Sequence, residues 1–164
     1  MNFKKFIIAF FSFISITCPA QTAEDWETWG DRVHGAFGSL VAYGVRIGND
    51  ALTRLNAARR DVTVEYTDGA KSPCACVLDG ISIAVSASLG QRTLKLNDFR
   101  TEDGLLARVK VTNKKTGEFA VYELPMSALP LMGSINSEFK SNKRFQAVMG
   151  IDSSKLYSVS ISNW

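Results

Sequence analysis

The residues with chemistry to offer are few. The chain has a single histidine, His34, followed at once by Gly35. Forty residues on, the stretch SPCACVLDG carries Cys74, Cys76 and Asp79. Thiolate and neutral imidazole are the donors that zinc and its neighbours take. A thiol at a helix N-terminus is pushed toward the thiolate by the free N–H groups and the dipole there. Asp79 lies three residues beyond Cys76, on the same face of a helix, within reach of the same ion or of the imidazole. The four side chains make a metal site if the helix starts that carry them meet, with His34 and Cys76 as primary ligands and Cys74 and Asp79 completing or orienting the set. The plainer reading is a helix-end histidine, two small buried cysteines and a carboxylate in a first helical turn. No CxxC pair or HExxH is present.

Other chemistries find less support. Ser39 sits in GSLVA and not in a G-x-S-x-G elbow, and Gly90 has no glycine-rich neighbours to cradle a phosphate. Cys76 as nucleophile with His34 as base is the enzymatic alternative.

The compartment gives the cysteines their meaning. Lys4 and Lys5 precede the apolar run FIIAFFSFISI, and Cys18-Pro19-Ala20 supplies small residues at a cleavage position. Residues 1–20 read as a signal peptide cut after Ala20, and residues 21–164 as one exported domain, expected in a bacterial periplasm. No later stretch approaches the length of a membrane span. Cys74 and Cys76 then remain as the only thiols. A Cys-x-Cys bridge closes a very small ring, and a helical backbone would misdirect its side chains. The pair is therefore read as metal ligands or reactive thiols and not as a structural disulfide.

The elements that must position these groups follow from periodicity. At 164 residues, with 46% hydrophobic and 21% charged side chains, the chain is one globular domain. Its formal charge of +3 includes Lys4 and Lys5; without them 17 basic residues face 16 acidic ones, so no basic excess argues for nucleic acid. Residues 21–33 suggest a short helix packed by Trp26 and Trp29. In the next helix Leu40, Gly44, Ile47, Ala51 and Leu55 form one stripe, with Val41, Val45, Gly48 and Leu52 beside it. Gly44 and Gly48 each cost about 1 kcal/mol there, so close packing must compensate; a second copy of the chain is one partner that a glycine-lined helix could meet. DVTVEY alternates as a strand. Ser72 as N-cap and Pro73 at the first helical position open a second helix, with Gly90 as its stop. TLKLNDF, LLARVKV and EFAVYELP are strands, the last two joined by a hairpin loop in NKKTGE; residues 134–149 read as a helix and 156–162 as an edge strand. The order predicts an α+β domain with one sheet.

Two stretches resemble a known family. HGAFGSLVAYGVRIGNDAL is similar to the opening motif of the FmdE-like family, which takes its name from formylmethanofuran dehydrogenase; that motif is His-Gly-His-Leu-Cys-Pro-Gly leading into a glycine-containing helix. CVLDGISIAVSASLGQRTLKL resembles its second motif, Cys-x-x-Asp-(Ala/Gly)-Ile, and SSKLYSVSIS its close; together they span roughly residues 30–162. The resemblance implies an α-β-α-β-β-β fold with one mixed sheet packed by helices. It also implies that His34, Cys76 and Asp79 occupy positions associated with a bound metal, commonly zinc. Ala36, Gly38 and Ala87 stand where the family has a second histidine and two cysteines, and Cys74 is an additional thiol nearby. The dehydrogenase reaction itself would need a redox cofactor and further protein components. What the resemblance implies is a stand-alone member that takes a transition metal or small ligand, or a module that binds a protein partner through a degenerate site.

Overall fold

The computed structural model describes residues 21–140 and 142–162; the signal peptide expected over residues 1–20 lies outside them. The elements are α1 (Ala23–His34), α2 (Ser39–Arg54), β1 (Val62–Asp68), α3 (Cys76–Val85), β2 (Leu94–Leu96), β3 (Leu105–Asn113), β4 (Phe119–Pro125), α4 (Ala128–Glu138), α5 (Asn142–Met149) and β5 (Ser158–Ser162). The strands form one mixed sheet in the order β2-β1-β3-β4-β5. Only β1 and β2 run parallel, joined through α3 as a β-α-β crossover; the other pairs are antiparallel. This is the α+β architecture the sequence predicts.

Strand alternation sorts the side chains. Val64 pairs with Val111, and Tyr66 with Val109, which pairs in turn with Tyr122; all are buried against the helices. On the other face Glu65 lies opposite Lys110 and Arg108 opposite Glu123, opposite charges that suit a half-solvated surface.

Helix α2 is the centre of the helical layer. Val41, Tyr43, Val45 and Ile47 are all fully buried, as its wide apolar arc requires. The glycines find the close neighbour expected of them: a Cβ on Gly44 would stand 2.0 Å from the Val77 carbonyl oxygen, and one on Gly80 would stand 2.0 Å from that of Val41. The glycine seam is thus filled by α3 of the same chain and offers nothing to a second copy.

Several helix boundaries differ from the sequence reading. Helix α3 starts at Cys76 and not at Pro73, because Ser72 Oγ turns to the Cys74 carbonyl and Cys74 is tied to Cys76 by a disulfide, which holds residue 75 outside regular helix. It ends at Ser86, in the left-handed region at φ 56°, before Gly90 is reached. The C-terminal helix is two helices, broken where Phe139 becomes extended (φ −113°, ψ 155°), and the first begins earlier than expected, at Ala128. Pro130 falls in that first turn, where its missing N–H is not needed. Among the described residues no helix is long and apolar enough to cross a membrane.

Candidate functional site

Where parallel strands end and the chain turns into a helix, backbone groups and loop side chains are left free to meet a ligand. Here that place is the C-terminal end of β1, with the 69–75 loop leading into α3 and the 97–104 loop following β2. Gly69 is wedged in it: a Cβ would stand 1.8 Å from the Leu105 carbonyl oxygen. Arg100 Nη1 donates to the carbonyls of Gly69 (3.0 Å) and Ser72 (3.4 Å), stapling one loop to the other. Asn97 N–H and Thr101 N–H donate to the carbonyls of Tyr66 and Asp68.

His34 and Asp79 meet beside this loop. The imidazole Nδ1 is 2.7 Å from Asp79 Oδ2, with the two side chains 28% and 39% exposed. A carboxylate only accepts, so Nδ1 carries a proton, and in the neutral ring Nε2 keeps its lone pair for a ligand. The meeting is not of two helix N-termini, as the sequence reading has it. His34 is the last residue of α1, closed by Gly35 in the left-handed region (φ 85°), and α2 begins only at Ser39. The site lies between the C-terminal end of α1 and the N-terminal end of α3, where the helix dipole favours the Asp79 carboxylate. Ser82 Oγ donates to the Asp79 carbonyl (2.8 Å), anchoring the turn.

Cys74 and Cys76 form a disulfide, which corrects the reading of them as free thiols. The physical reason is the loop: with Cys74 outside the helix, the helical misdirection of the side chains does not arise. The donors present decide whether a metal fits. With the bridge closed neither sulfur is a thiolate, Asp79 is engaged with Nδ1, and among the described residues no three His, Cys, Asp or Glu side chains gather to hold an ion. The oxidised site does not fit a metal. Once reduced, the same residues would carry two thiolates and an imidazole nitrogen, donor types that zinc takes.

Two residues at this strand end escape sequence reading. Tyr66 Oη and Asp68 Oδ1 are buried and have no hydrogen-bond partner among the described residues. Burial, then the charges of Asp68 and Asp79, push the Tyr66 hydroxyl well above the usual phenol range, so it stays a donor. Asp68 reads in the sequence as a turn residue; its place on the same strand face as Tyr66, two residues on, was the available signal.

Fold and site together describe a small α+β domain with a histidine–carboxylate pair at a strand-to-helix loop. A family model described as "FmdE, Molybdenum formylmethanofuran dehydrogenase operon" matches residues 33–148, most of the chain and all four candidate residues. The chain belongs to the FmdE family. A comparison with curated proteins finds no match.

Proposed function

We propose that this FmdE-family domain is an exported binding protein. Its site, made of His34, Cys76, Cys74 and Asp79, takes a transition-metal ion of the zinc type, or a small ligand in its place, when the cysteine pair is reduced. The observation that carries the reading is the 2.7 Å bond from His34 Nδ1 to Asp79. A carboxylate behind an imidazole fixes the ring and leaves Nε2 as the outward donor, the support that metal-binding histidines commonly have. Asp79 is thus the orienting residue, and the sulfurs supply the softer donors. Export is supported by the leader-like residues 1–20 and by the disulfide, which persists in oxidising compartments.

The test is metal content and zinc titration of the purified chain, oxidised and reduced, with His34→Ala and Cys76→Ala beside it. The reading expects about one ion per reduced chain, none when oxidised, and loss in both variants. Reduced wild-type protein that takes up no zinc would overturn it. Stoichiometric alkylation of Cys76 at neutral pH, dependent on His34, would then favour the nucleophile reading.

A further inference from the structure

Beyond the His34 end, the seam between α1 and α3 opens into a cavity of about 450 Å3 that none of the residues considered so far explains. Its walls are apolar and cationic at once. Trp29, Arg32 and Val33 of α1 line it with Ser82 and Ile83 of α3, together with Arg59 and Ser86. Val33 is 56% exposed, high for a valine with a cavity at its side.

The charges are what single it out. None of the described lining residues is acidic. Arg32 makes no hydrogen bond or ion pair among the described residues. Arg59 is held in place without being neutralised: its guanidinium lies 5.4 Å from the centre of the Trp26 ring and donates through Nη2 to the Gln21 side-chain amide. Two guanidiniums beside an aromatic and aliphatic wall match an anion with an apolar body. The leader expected over residues 1–20 is a poor occupant, since it carries Lys4 and Lys5 and no acid.

We infer that this cavity is a binding site for a small amphipathic anion, an aromatic or branched carboxylate being the simplest case. The carboxylate would meet Arg32 and Arg59, and the apolar body would lie against Trp29, Val33 and Ile83. The inference does not depend on a metal at His34.

The experiment is titration of the purified chain, oxidised and without added metal, with 2-naphthoate, the neutral 2-naphthamide and the cationic 2-naphthylmethylammonium, followed by calorimetry and amide NMR. Saturable binding of naphthoate at one site is expected, at least about tenfold tighter than the amide, as a charge-assisted contact predicts. Arg32→Gln should weaken naphthoate by about fivefold to tenfold and Ile83→Asp should abolish it. Lys155→Gln, a cation that does not line the cavity, should leave it unchanged. Equal binding of all three probes, no saturation at millimolar naphthoate, or equal effects of Arg32→Gln and Lys155→Gln would overturn the assignment. Arg32 is exposed, so its variant tests the charge without disturbing the fold.

Discussion

His34 Nδ1 donates to Asp79 Oδ2 across 2.7 Å, joining the last residue of α1 to the first turn of α3 over a sequence distance of 45 residues. The bond selects the tautomer. Neutral His34 should carry its proton on Nδ1, readable from the ring nitrogen shifts in NMR. Asp79→Ala should return the ring toward the Nε2–H form that free imidazole side chains favour. It should cost about 1 kcal/mol of stability at most, because both groups are partly solvated. An unchanged tautomer in the variant would show that the carboxylate does not control the ring.

The disulfide between residues only two apart leads to a different expectation from most bridges. On the chain-entropy account a loop this short contributes about 1.6 kcal/mol, well below a long one. Reduction should therefore leave the domain folded, with two thiols open to alkylation in addition to any from Cys18. Cys74→Ser with Cys76→Ser should lower unfolding free energy by about 1–2 kcal/mol, as measured by urea denaturation. Wholesale unfolding on reduction would contradict this.

Two glycines in helices should respond in opposite senses. Gly44→Ala drives a methyl into the Val77 carbonyl and the Ile81 amide of α3, and overpacking of that kind should cost about 2 kcal/mol or more in spite of the gain in helix propensity. Gly133, inside α4, would have nothing within 4 Å of an added Cβ. Gly133→Ala should stabilise by about 0.5–1 kcal/mol. Thermal melts of the pair decide the point.

Alkaline pH should find the tyrosines. Burial, as the leading cause, raises the hydroxyls of Tyr43, Tyr66 and Tyr122 far above the ordinary value of 10.0; Tyr122 also donates to Asp50 at 2.7 Å. With folded values above the unfolded ones, the stability they contribute is fully present below about pH 10 and is lost as pH rises beyond it. The slope should approach about 1.4 kcal/mol per pH unit for each tyrosine. Urea unfolding at pH 8 and pH 11, with absorbance of the phenolate as the second readout, checks it. Tyrosines that ionise freely in folded protein at pH 11 would show that they are solvated.

Much of this was legible in residue order, for physical reasons that can be named. Alternation in DVTVEY, LLARVKV and EFAVYELP marks β1, β3 and β4, since a strand buried on one face has a period of two. Gly44 and Gly48 announce a close approach because nothing else justifies them in a buried helix. Asp79 was within reach of the imidazole, as spacing suggests. The errors lie where one local signal was followed and another overlooked. Ser72-Pro73 has the form of a helix start, yet the Cys74–Cys76 bridge sets a different backbone. Placing His34 at the opening of α2 overlooks better signals: Thr22 and Asp25 form a capping box that begins α1, and Gly35 ends it. The unpartnered atoms of Tyr66 and Asp68 depend on what surrounds them in three dimensions, which no spacing encodes.

The contact of Gly44 with Gly80 bears on the chemistry as well as the packing. Asp79 immediately precedes Gly80, so the carboxylate that holds the imidazole is carried by a stretch of main chain lying against main chain, with no intervening layer of rotatable side chains. Such a joint has little slack. The orientation of His34 is referred, through one carboxylate, to this main-chain contact between α2 and α3.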